Sequence, residues 1–202
     1  MRKFSLVIAS IFVISILILS SSDSLLPKSP ASPHLASAAT GEQAYVPITI
    51  TNGQSVSTPS NFQEMLVFNP SSYSAYEAPD LGNIRFCTDA ACNAVLHAWL
   101  ESCNPSCGPS ANSVIVWVLL PSSISANGKL AIYMSFYSSS LPNYEFDGNY
   151  WGEAPGLSSS YALYDNGAKV FPTLYENFAG TSCPSGWTVS YTHLRAHETG
   201  RN

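Results

Sequence analysis

Six short apolar segments that recur at short intervals, with turn signals between them, constrain this chain more than any other feature. In Tyr45 to Thr51, Val46, Ile48 and Ile50 fall on one face, and Pro47, Thr49 and Thr51 on the other. A period of two belongs to a half-buried strand, and Pro47 places this one at a sheet edge or a strand start. Asn52-Gly53 follows as a turn dipeptide. Met65 to Phe68 is the second segment, stopped by Asn69-Pro70. Asn83 to Cys87 is the third, with Ile84 and Phe86 on one face. Ala94 to Glu101 is the fourth, with Leu96, Ala98 and Leu100 together. Val114 to Leu120 is apolar on both faces, the mark of a central strand. After Asn127-Gly128, Leu130 to Phe136 turns Leu130, Ile132, Met134 and Phe136 inward. This pattern predicts an all-β, antiparallel β-sandwich of jelly-roll-like character. Its expected core contains Ile48, Ile84, Phe86, Leu96, Leu100, Val116, Val118, Ile132 and Met134.

The two ends read differently from this middle. Met1-Arg2-Lys3 precedes an apolar run from Phe4 to Leu19, and the next charge is Asp23. A basic start followed by an apolar stretch is the pattern of an export signal. The uncharged run is also long enough to be an N-terminal anchor helix. Ala36-Ser37-Ala38 offers an A-x-A cleavage site after a Ser/Pro-rich spacer. Either reading puts the domain outside the cytoplasm, secreted or at the cell surface. At the other end, Val189 to Thr199 (VSYTHLRAHET) resembles the conceptual translation of a transposon-based sequencing adapter. His193, His197 and Glu198 lie within it and are therefore not read as a metal motif. The expected organisation is a signal or anchor plus spacer over 1–40 and a sandwich over 41–140. A Tyr/Gly/Ser-rich connection follows over 141–170, then the start of a second β domain over 171–188 and the adapter-like tail over 189–202.

Charge narrows the function classes. Between residues 41 and 188 the only cations are Arg85, Lys129 and Lys169, against eleven carboxylates. The resulting formal charge of −8 argues against binding nucleic acid, whose phosphates require clustered Lys and Arg. A hydrophobic content of 46% argues against disorder.

Four cysteines, Cys87, Cys92, Cys103 and Cys107, lie close together, and Cys183 stands apart. An exported chain makes disulfides the first reading. Local pairing, 87 with 92 and 103 with 107, brackets two turns. A nested pairing, 87 with 107 and 92 with 103, is the alternative, and zinc is a third whose spacing fits no zinc knuckle.

Catalytic constellations are poor. There is no G-x-S-x-G, no phosphate loop and no dinucleotide fingerprint, and His97 is the one histidine between residues 41 and 188. No enzyme activity, metal or cofactor is expected. The alternation places His97, Trp99 and Glu101 on the face opposite Leu96, Ala98 and Leu100. If the third and fourth segments pair as a hairpin, Arg85 joins them. A Trp plate beside a carboxylate and a guanidinium suits a sugar ring, with Arg85, Trp99 and Glu101 as the ligand-binding candidates. The competing reading is a covered Trp99 and a cross-strand Arg85–Glu101 pair. Glu145, Asp147, Asn149, Glu153 and Asp165 form an acidic stretch that fits no known calcium loop. Tyr144, Tyr150, Trp151, Tyr161 and Tyr164 read either as an exposed platform or as loop packing.

Four motifs occur in order: Ile84-Arg85-Phe86, Trp99-Leu100-Glu101-Ser102, Val116-Trp117-Val118 and Ile132-Tyr133-Met134. With VPITITNGQS before them, they make residues 43–140 resemble the domain-of-unknown-function 2341 family. Leu174 to Gly180 resembles the opening strand of a concanavalin-like or laminin-G-like jelly roll. The resemblance implies an exported surface module without established activity. A glycan or another surface protein is then the expected partner. An accessory domain of an exported hydrolase and a structural spacer are the other readings. Tyr137-Ser138-Ser139 departs from that family's usual Tyr-Gly-Asn.

Overall fold

The computed structural model describes residues 34–35, 41–138, 141, 144–182 and 184. The export or anchor segment, the A-x-A site, Cys183 and the adapter-like tail lie outside the described residues. Among the described residues no helix is long and apolar enough to cross a membrane.

The chain is mostly β, in two sheets. The strands are β1 (His34–Leu35), β2 (Glu42–Thr51), β3 (Gln63–Phe68), β4 (Ile84–Cys87), β5 (Ala98–Asn104), β6 (Ser113–Leu119), β7 (Lys129–Tyr137) and β8 (Trp151–Glu153). A four-residue helix, α1 (Gly167–Val170), follows. The first sheet runs β1-β2-β7-β4 and the second β3-β6-β5-β8. All pairs are antiparallel except β5 with β8.

The alternation produces the core directly. Ile84, Phe86, Leu100, Val116, Val118, Ile132 and Met134 are buried between the sheets, as is Leu96, and Ile48 is partly buried against them. Each strand gives the core every second side chain, so a one-residue slip would expose the whole set. The apolar inner face of β6, central between β3 and β5, carries three fully buried valines, Val114, Val116 and Val118.

Three features differ from the sequence-based expectation. The third and fourth segments do not form a hairpin: β4 pairs with β7 in the first sheet, while β5 lies in the second. They meet in a short antiparallel contact where the chain crosses over, at the Cys87–Val95 bridge, flanked by the Leu96 N–H bond to the Phe86 carbonyl (2.7 Å) and the Thr88 N–H bond to the Ala94 carbonyl (3.0 Å). The fourth strand starts at Ala98 rather than Ala94 and continues to Asn104. The stretch expected to be a Tyr/Gly/Ser-rich connection packed on the sandwich also contains a strand, β8, whose Trp151 is fully buried. Asp147 builds the turn into β8 by accepting from the Asn149 N–H (2.8 Å) and the Trp151 N–H (2.9 Å).

Both local disulfides are present, Cys87–Cys92 and Cys103–Cys107, with Cα separations of 5.0 and 4.9 Å. Each closes a turn next to a strand end, Cys87 ending β4 and Cys103 lying near the end of β5. Non-reducing peptide mapping is expected to return these two pairs. Because each loop is short, reducing either bridge should cost only about 2 kcal/mol. A peptide linking residue 87 to residue 107 would refute the pairing.

Candidate aromatic and carboxylate site

The outer face of the second sheet carries the most developed arrangement of aromatic and acidic groups. In the β3–β6–β5 register, Met65 sits opposite Trp117, and Trp117 opposite Trp99. The row points outward because Glu64, Leu66, Val116, Val118, Ala98 and Leu100 occupy the alternate, inward positions. A β-bulge between Leu100 and Ser102 inserts Glu101 as an extra residue. Such a bulge re-aims a side chain, and here the Glu101 carboxylate accepts the Trp117 indole N–H in a short hydrogen bond. Trp99 and Trp117 are both half-buried, so part of each ring remains accessible.

Asp165 supplies the second carboxylate. Its Oδ1 accepts from the Trp99 indole (3.1 Å), the Gly167 N–H (3.0 Å) and the Tyr175 hydroxyl (2.7 Å). Its Oδ2 accepts from the Asn177 amide (2.7 Å). The four bonds draw the segment after α1 against the indoles. Phe171 meets Trp99 and Trp117 edge-on, with centroids 5.7 and 5.6 Å away, and stacks on Tyr175. Tyr175 also meets Trp99 edge-on at 6.0 Å. Burial, reinforced by Asp165, raises the Tyr175 phenol above its ordinary range, so it remains a hydrogen-bond donor at any working pH. Each indole thus has its N–H fixed by a carboxylate. Asp165 already accepts four hydrogen bonds, so Glu101 is the carboxylate with acceptor capacity to spare.

The sequence-based candidates separate into two places. Trp99 and Glu101 belong to this face. Arg85 does not. It lies in the first sheet, is 8% exposed, and donates to the Gly82, Ile84 and Glu145 carbonyls at 2.7–2.8 Å. Burial lowers its pKa, while Asp147 and Tyr137 act in the opposite direction. Arg85 shares no face with Trp99 and Glu101 because β4 pairs with β7 in the first sheet, while β5 lies in the second. His97 is also elsewhere. Its ring stacks on Tyr150 at 4.8 Å and donates from Nδ1 to the Asn149 carbonyl (2.9 Å).

The acidic stretch disperses as well. Asp147 is used on backbone N–H groups and Asp165 on the aromatic face, while Glu153 is buried and accepts from Ser158 (2.6 Å). Among the described residues no three His, Cys, Asp or Glu side chains are grouped to hold a metal ion. The five aromatics between 144 and 164 are not one platform. Trp151 is core, Tyr164 stacks on Phe146, and Tyr161 is exposed. Trp117, Asp165, Phe171 and Tyr175 were not legible as site residues. Their only signal is a cross-strand register and a contact spanning 66 residues, neither of which the local sequence displays.

No family model matches the chain, and no solved structure matches it. It is similar to Uncharacterized protein 562 of Sulfolobus islandicus rod-shaped virus 1, at 42% identity over 124 residues. That match covers 61% of this chain and 20% of the viral protein, so the chain spans about a fifth of that relative's length.

Proposed function

We propose that this chain is an extracytoplasmic, non-catalytic binding module that presents the outer face of its second sheet to surface glycans. The carrying observation is the side-by-side pair Trp99 and Trp117, each with its indole N–H held by a carboxylate, Asp165 or Glu101. The two indoles, each partly exposed, offer apolar surface to the C–H faces of sugars. The Glu101 carboxylate retains lone pairs for sugar hydroxyls. Met65, exposed next to Trp117, extends the surface toward the sheet edge. The export or anchor pattern, the two disulfides and the low charge content support secretion or surface display. The resemblance to a family of exported surface domains supports the same reading, with a jelly-roll-like sandwich as the finer fold assignment.

The test is a glycan array probed with the purified chain, followed by titration of a hit against variants. Trp117→Ala is expected to weaken binding by about 1–3 kcal/mol, the loss of one stacking plate at a small interface. Trp99→Ala should weaken binding similarly and also lower stability, because Asp165, Phe171 and Tyr175 all pack on it. Arg85→Lys should leave affinity unchanged. A blank array, or a hit indifferent to both tryptophans, would overturn the assignment.

A further inference from the structure

A recess lies at one end of the sandwich, where β2 gives way to the 52–62 connection. Ile50, Val56, Pro59, Phe62 and Ile124 line it, and Glu64 is the one ionisable group among its lining residues. Asn52 borders the recess. Its amide donates to the Val56 (2.8 Å), Ile124 (3.1 Å) and Ser125 (3.0 Å) carbonyls, tying the connection to the opposite loop. Glu64 belongs to the inward-facing set of β3 with Leu66 and Phe68, opposite the fully buried Val118. Among the described residues its carboxylate has no hydrogen bond and no ion pair. Burial raises its pKa. A strand that otherwise turns apolar residues inward therefore sets one carboxylate, without a counter-ion, at the wall of an apolar pocket.

The pocket's size selects the occupant. Its volume is about 90 Å³. That is far below the ~300–1,000 Å³ of pockets that enclose whole small molecules. It matches one side chain. The apolar wall needs an aliphatic stem and the carboxylate needs a cation at its tip, which together describe a lysine. The formal charge of −8 between residues 41 and 188 favours a basic partner in the same sense. We propose that the Glu64 pocket receives a lysine side chain from a partner protein, at a site separate from the aromatic face.

The probe is lysine capped as its N-acetyl, N-methylamide derivative, titrated into the isotopically labelled full chain and followed by amide chemical shifts. Shifts are expected at Ile50, Phe62, Glu64 and Ile124, with Kd on the order of 1–10 mM, the scale of a single side chain. Capped norleucine, which keeps the stem and loses the charge, should bind at least about tenfold more weakly. Glu64→Gln should abolish the lysine preference without lowering the melting temperature, because it removes an unpaired charge. Glu145→Gln, which changes an exposed carboxylate, should leave the titration unaltered. No shifts at these residues up to about 100 mM, or equal binding of lysine and norleucine, would overturn the proposal. So would a titration that Glu64→Gln leaves unchanged. Binding of butylammonium without binding of capped lysine would assign the pocket to a free amine and overturn the protein partner. None of these outcomes depends on whether glycans bind the tryptophan face.

Discussion

Replacing Trp151 by alanine is expected to destabilise the domain by about 3–5 kcal/mol, the largest single-residue effect in the chain. The ring is 1% exposed and is the largest of the fully buried side chains. It stacks on Phe146 at 5.4 Å and packs obliquely against Phe86 at 5.8 Å, joining the 144–154 segment to the core. Its indole N–H donates to the Leu81 carbonyl (3.1 Å). Truncation therefore opens a cavity and removes a buried hydrogen bond at the same time. Leu81 is itself fully buried with φ at +66°, an unusual conformation for a branched residue that the surrounding bonds must hold. Trp151→Phe keeps most of the packing and deletes only the donor, so a smaller loss of about 1–2 kcal/mol is expected. Denaturant titration of the two variants checks the order. If Trp151→Ala costs under about 1 kcal/mol, the 144–154 segment is not part of the cooperative unit.

The strands were legible because their signal is local. Val114 to Leu120 and Leu130 to Phe136 announce themselves by composition and period, and both form strands within a residue or so of the expected bounds. What alternation does not carry is the identity of the neighbour. The alternation turns Ile84 and Phe86 inward, where the structure has them, yet the partner of β4 is β7, some 50 residues away, not the adjacent β5. That one long-range choice decided the fate of the candidate site, since it sends Arg85 to one sheet and leaves Trp99 and Glu101 on the other. β8 was illegible for a different reason. Trp151-Gly152-Glu153 is too short to show a period, and Gly152 is a poor strand residue in isolation. Tyr164 O and the Asn166 side chain crowd the position where a Cβ would stand at Gly152, so a glycine is required for this close approach. The cysteine pairing was readable because four- and five-residue spacings around turns leave little geometric freedom.

The chain should also lose stability as pH rises from about 4.5 to 8, and Glu77 is the residue expected to cause most of it. Both its carboxylate oxygens are buried without a hydrogen-bond partner. They lie in the 74–83 connection that Asn83 binds together through the Ala78 N–H, the Tyr76 carbonyl and the Tyr137 carbonyl. Burial pushes the Glu77 carboxyl from its ordinary value of 4.5 up to about 8. The group facing it is the Tyr73 phenol, raised by burial and by Glu77 itself, and a phenol supplies no positive charge. The folded state therefore holds a proton that the unfolded chain releases near pH 4.5, so the unfolded state gains on every pH step up to about 8. Full conversion of that difference would be about 5 kcal/mol. Solvent around the rest of the half-buried side chain screens it, and roughly 2–3 kcal/mol is expected. Glu77→Gln keeps the shape of the protonated acid and cannot ionise. It should match the parent at pH 4 and exceed its stability by that margin at pH 8–9. Other carboxyls raised by burial, Glu42, Glu64 and Glu153, slope in the same direction but are common to both proteins, so the difference isolates Glu77. Denaturant melts of the pair across this range decide the matter. Parallel stability curves would show that Glu77 ionises freely in the folded chain, with water or a cation reaching the carboxylate.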